Sequence, residues 1–201
     1  MGEFIFEPVL VKANYPLVFV GRREVAEVNT HWVTFDYRRV IDQMVGHLAP
    51  LCSNRCFVYV ESQEEEREPR KDKRRYLLGA AQEHGIEVTI VQADERNRLD
   101  DEALDLVLDQ GMVVFDRLYS LDSFERSLEH RGKRVGRDVR GAVLEDDWMG
   151  GHEHWTRWSN QRLELGSLAV EYLSLLLQKR SLEEVSKLTP LYLVISESSA
   201  F

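Results

Sequence analysis

The feature that most limits what this chain can fold into is an alternation. Short apolar runs rich in β-branched residues recur between longer segments whose apolar residues fall three and four apart. The runs Tyr15–Val20, Cys56–Val60, Ile86–Val91, Met112–Phe115, Val139–Leu144 and Leu191–Ile195 carry the pattern of strands. Between them, Thr34–Leu48, 69–81, Asp100–Asp109 and Ser120–Arg131 carry helical spacing, and Gly85, Gly111 and Gly132 stand where those helices should stop. Leu163–Gln178 is apolar nearly all round, which predicts a helix packed on several sides. Ser181-Leu182-Glu183-Glu184 reads as a capping box opening a short last helix that Thr189-Pro190 breaks.

Strands alternating with helices at such short intervals predict parallel βαβ units with right-handed crossovers. The expected architecture is an α/β three-layer Rossmann-like sandwich with a mostly parallel central sheet, formed as one domain over residues 1–201. With 43% hydrophobic and 30% charged residues, the chain can bury a core and does not have a disordered composition. Its broadest apolar stretch, Leu168–Leu177, is about half of the ~20 residues a bilayer span requires. MGEFIFEP has neither the basic start nor the cleavage site of a signal peptide, so the cytoplasm is the expected compartment. Cys52 and Cys56 flank Ser53-Asn54-Arg55 without a second pair to complete a zinc site, and are read as reduced thiols.

The net charge of -9 disfavours nucleic acid as a partner, since binding it requires neutralising phosphates. A local basic patch remains: Arg67–Arg75 holds six Lys/Arg in nine residues, and Arg70, Lys71, Lys73 and Arg74 are the candidate phosphate-binding side chains. A second unusual stretch is Glu145–Trp158, EDDWMGGHEHWTRW. Trp148, Trp155, Trp158 and Arg157 are candidate partner-binding residues, because Trp and Arg dominate binding hot spots. The alternative is a core plug closing the sheet. His152 and His154 share a face in extended backbone, and with Asp122 and Asp146 they are the candidate metal ligands. No G-x-x-x-x-G-K-[ST] or G-x-G-x-x-G occurs, and the sequence leaves any cofactor unknown. Asp116 follows the strand Met112–Phe115, but Leu118 stands where a dehalogenase-type phosphatase needs a second aspartate.

The order of elements from Leu17 to Val135 resembles the NYN branch of the PIN-like nucleases. The matching pieces are Asp36-Tyr37-Arg38-Arg39-Val40, Phe57-Val58-Tyr59-Val60, Gly85-Ile86-Glu87-Val88, Ser120-Leu121-Asp122-Ser123-Phe124 and Gly132-Lys133-Arg134-Val135. The family's first metal-binding aspartate would fall near Gly21 and its partner asparagine among Arg22, Arg23 and Glu24, so the resemblance implies a nuclease fold with an eroded metal site. Two functional expectations follow. One is a non-catalytic binding or scaffold subunit acting through the Trp-rich segment, with a protein partner or a second copy of itself. The other is a metal-dependent nuclease or phosphoesterase of PIN-like type that uses Asp122.

Overall fold

A computed structural model describes residues 16–21, 31–62, 68–145, 150–159, 162–178 and 186–200. The chain divides into two compact units, one of residues 1–36 and 161–190, the other of 37–160 and 191–201. It is an α/β fold with mostly parallel sheets, as the alternation predicts.

The larger unit opens with α1 (Tyr37–Leu48), whose Val40, Ile41, Met44, Val45 and Leu48 are buried at helical spacing. Then come β3 (Cys56–Glu61), α2 (Glu68–Glu83), β4 (Glu87–Gln92), α3 (Asp101–Gln110), β5 (Met112–Phe115), α4 (Leu121–His130) and β6 (Arg140–Val143). Local chemistry sets the boundaries of these elements. The Asp100 side chain accepts from the Ala103 N–H at 2.8 Å and caps α3, and Gly111 ends it at φ +71°. The sheet runs β4-β3-β5-β6, all parallel. β7 (Arg157–Ser159) continues it through a parallel bridge between Ala142 and Thr156, and pairs antiparallel with β9 (Tyr192–Val194).

All four residues of β5 are buried, as a parallel strand covered on both faces requires. One apolar cluster joins Val58, Val60, Val113 and Phe115 of the sheet to Leu121, Phe124 and Leu128 of α4 and to Trp155. Trp155 meets Phe115 edge-on at 5.7 Å and 88°, and this contact sets a limit at Gly141. A Cβ there would lie 2.7 Å from Trp155 Cζ3 and 2.8 Å from the Val113 carbonyl oxygen. A short 3-10 turn, Glu197–Ser199, closes this side by hydrogen bonds. Ser198 Oγ accepts from the Thr156 N–H and donates to the Gly141 carbonyl, both at 2.7 Å, and Ser199 Oγ lies 2.9 Å from His47 Nε2.

The smaller unit holds β1 (Val18–Val20), β2 (His31–Phe35) and β8 (Ser186–Thr189) in a parallel sheet of order β1-β2-β8, with α5 (Arg162–Leu177) packed against β1 and β2. Three features differ from what the sequence predicts. His31–Phe35 is a strand, whereas helical spacing alone assigns Thr34 and Phe35 to the following helix. Ser186–Thr189 is a strand where the last helix is expected, and the Ser181–Glu184 capping box lies outside the described residues. α5 buries only Leu165 fully, leaving Leu163 (89%), Val170 (64%) and Leu177 (63%) exposed. The reason is geometric: its apolar residues point all round, and one sheet covers one side.

Among the described residues no helix is long and apolar enough to cross a membrane. Gly141→Ala is expected to cost about 1–3 kcal/mol through overpacking, whereas Val170→Ser should change stability by less than about 0.5 kcal/mol. Urea unfolding of both variants checks this.

Candidate functional site

In a parallel sheet every strand delivers its C-terminal end to the same edge, and open α/β sheets bind ligands there, where the strand order reverses. In the larger unit that reversal lies between β3 and β5, since β4 is added on one side of β3 and β5 on the other. The residues that follow these two strands meet. Ser62 donates its backbone N–H to Asp116 Oδ1 at 3.1 Å and its hydroxyl to Oδ2 at 3.4 Å. Asp116 is 1% exposed, so its carboxylate depends on such donors in place of water.

The neighbouring strand ends also carry acids. Glu61, the last residue of β3, accepts from Gln92 Nε2 at 2.6 Å and lies 3.3 Å from Arg74 Nε. Glu145, two residues beyond β6, accepts from Arg117 Nη1 and from the Leu118 N–H, each at 3.0 Å. Beyond β4, Asp94 takes a two-pronged contact from Arg98 at 2.8 and 2.9 Å, which holds its carboxyl below the usual range. From α2 the buried Lys73 donates to the Leu144 carbonyl at 3.0 Å and lies 5.5 Å from the Trp158 ring centre, with Tyr37 on that ring at 5.7 Å. The edge thus combines carboxylates, cations and an aromatic face within one layer. Polar groups fixed in this way are able to orient a small polar ligand by hydrogen bonds. Among the described residues no three His, Cys, Asp or Glu are gathered around a point where a metal would sit.

The residues that stand out in the sequence are distributed differently. Trp155 and Trp158 are 0% and 3% exposed, so both are core, and Trp148 and Asp146 lie outside the described residues. Arg157 turns inward along its own loop, donating to the Glu153 and Trp155 carbonyls. Of the basic run, Lys71 is exposed, Lys73 is buried at the sheet edge and Arg74 faces Glu61, and the Arg70 side chain lies outside the described residues. His152 and His154 sit beside α4, 3.8 Å from Asp122 and 2.7 Å from Glu125 respectively. Glu61, Ser62, Asp116, Arg117 and Glu145 do not stand out as a site in the sequence. The signal for them is an acid directly after, or closing, an apolar strand run, as in Val60-Glu61-Ser62, Phe115-Asp116 and Leu144-Glu145.

No protein-family model and no curated protein matches the sequence. Solved structures do match the fold. A transcription-regulator-like protein of Staphylococcus haemolyticus superposes with a TM-score of 0.80 at 15% identity, over 100% of this chain and 73% of its own. The fold is of the periplasmic-binding-protein type. A periplasmic binding protein/LacI transcriptional regulator of Alkaliphilus metalliredigens QYMF, complexed with D-xylulofuranose, gives 0.77 at 13% identity, over 94% and 72% of the two chains. A LacI family transcriptional regulator of Enterococcus faecium with bound ribose gives 0.77 at 17%, over 97% and 74%.

These likenesses overturn the resemblance to NYN and PIN-like nucleases and the functions attached to it. The pieces that carried it are boundary elements of a parallel βαβ sheet: Gly85 and Gly132 are helix-ending turns at φ +66° and +68°, and Phe57–Val60 is a buried strand. The scaffold reading through a Trp-rich surface is corrected as well, since Trp155 and Trp158 face the interior of the unit.

At the opposite, N-terminal edge, burial pushes the Cys52 thiol up to about 11, with Cys56 adding to the effect. A thiol with so high a pKa is roughly one part in a thousand thiolate at pH 8, and the thiolate is the nucleophile. An alkylating reagent at pH 8 is therefore expected to leave Cys52 unmodified in the native protein and to label it after denaturation, as read by mass spectrometry.

Proposed function

We propose that this chain is the ligand-binding part of a LacI-type transcriptional regulator, taking a small hydroxyl-rich molecule of the sugar class at the edge described above. One observation carries the reading: the Ser62–Asp116 contact lies at the strand-order reversal of a periplasmic-binding-protein-type fold. Two proteins of similar fold hold pentoses, xylulofuranose and ribose. The chemistry at the edge agrees. Carboxylates accept from hydroxyl groups in pairs, and the partly exposed Arg117 beside Glu145 donates.

The net charge of -9 fits a unit that senses a metabolite without itself gripping nucleic acid. The same reading places the protein in the cytoplasm, with a second copy of the chain as its partner. Free Cys52 and Cys56 agree with a reducing compartment.

Thermal unfolding against a panel of pentoses, hexoses and polyols tests the proposal. At a hundredfold excess over Kd, the right ligand should raise Tm by about 5 °C or more. Asp116→Ala and Glu145→Gln should remove the rise. A panel in which no hydroxylated ligand moves Tm, or a rise that both variants retain, would overturn the reading.

A further inference from the structure

A large aromatic side chain stands in solvent just beyond β5. Tyr119 is 49% exposed, whereas Phe57, Tyr59, Phe115, Phe124, Trp155 and Trp158 of the same unit are all buried. Tyr192, another exposed ring of that unit, belongs to β9, outside the parallel sheet. Tyr119 is three residues past Asp116, so the two Cα atoms are at most roughly 10 Å apart. It occupies the middle of the 3-10 turn Leu118–Ser120, whose outer residues are both buried. Successive side chains of such a turn point a third of a revolution apart, so burial of both neighbours presents the middle one outward. The turn itself is fastened. Glu145 accepts from the Leu118 N–H and from Arg117 Nη1, each at 3.0 Å, and α4 begins directly after Ser120. Tyr119 makes no hydrogen bond or ring contact of its own among the described residues.

We infer, resting on the sugar-site reading above, that Tyr119 makes this edge select ring-closed sugars over open-chain polyols with the same hydroxyls. The polar groups of the edge recognise hydroxyls, and a sugar and its reduced, open-chain alditol both supply them. Discrimination between the two therefore falls to a group that reads shape. A furanose or pyranose presents a compact patch of C–H groups on one side, and an aromatic face packs against such a patch. An alditol has no fixed patch of this kind, and binding must also freeze its free carbon–carbon torsions. Tyrosine suits the role because its large amphipathic ring is ordered at the cost of only two torsions. Here the backbone beneath it is already held by Glu145 and by the start of α4, so the ring is placed before any ligand arrives.

Titration calorimetry on the full chain tests this with matched pairs: ribose and ribitol, xylose and xylitol, glucose and sorbitol. The sugar that binds should do so about tenfold more tightly than its alditol. Tyr119→Ala should weaken that sugar by about five- to tenfold, the worth of one aromatic contact. The same variant should leave the alditol's affinity and the unfolding of the ligand-free chain unchanged. Tyr119→Phe should keep the selectivity, which separates the ring face from the phenol hydroxyl. An alditol that binds as tightly as its sugar, or a sugar whose affinity survives Tyr119→Ala, would overturn the role of Tyr119 while the sugar-site reading stands. If neither member of any pair binds the unaltered chain, the sugar-site reading fails and the role of Tyr119 fails with it.

Discussion

β5 is the strand on which the larger unit depends, because all four of its residues are buried and it has a parallel neighbour on each side. A backbone in that position takes its hydrogen bonds from β3 and β6 or leaves them unmade, at a cost of about 1–3 kcal/mol for each buried polar group. The register Val58↔Val113 on one side and Val113↔Gly141 on the other is therefore tightly held. Gly141 follows from the same constraint: the Val113 carbonyl and the Trp155 ring approach so closely that no side chain fits between them. The packing of Trp155 on Phe115 and Phe124 is then a consequence of where β6 must lie.

The polar edge is the other end of that constraint. Once β5 is fixed, its next residue is committed to a buried position, and Asp116 is held there by the hydroxyl and N–H of Ser62. The same logic repeats along the edge, where Glu61 and Glu145 each meet a guanidinium and a further N–H donor. Lys73 reaches this layer from α2 with its ammonium on a carbonyl and against an aromatic face, so its charge is met inside the layer. Charges arranged like this keep their geometry without solvent.

The sequence disclosed the larger unit better than the smaller one. Cys56–Val60, Ile86–Val91 and Met112–Phe115 are dense in β-branched or apolar residues and end at glycines, acids or polar turns, so strand propensity and burial point the same way. His31–Phe35 alternates polar and apolar residues immediately before a strong helix, and Ser186–Thr189 offers a single large apolar side chain, so neither stands out locally. α5 misleads for the opposite reason, since apolar residues on every side imply more cover than one sheet supplies. At the site, a lone acid ending a strand has no spacing to mark it. Only the topology shows that Ser62 and Asp116, 54 residues apart, are neighbours. His152 and His154 stand out in the sequence because they are two residues apart, whereas Glu125, the acid that His154 meets at 2.7 Å, does not, since it lies on a separate helix.

The larger unit is discontinuous in sequence, with residues 191–201 joining 37–160. A ribosome that has released residue 160 has delivered every strand of β4-β3-β5-β6 but neither β9 nor the turn at 197–199. Until those arrive, the Thr156 N–H lacks Ser198 Oγ, the Gly141 carbonyl lacks the Ser198 hydroxyl, and β7 has no antiparallel neighbour. The nascent chain therefore passes through an interval in which its sheet is assembled but one side is still open, and a protease or chaperone would meet it in that form.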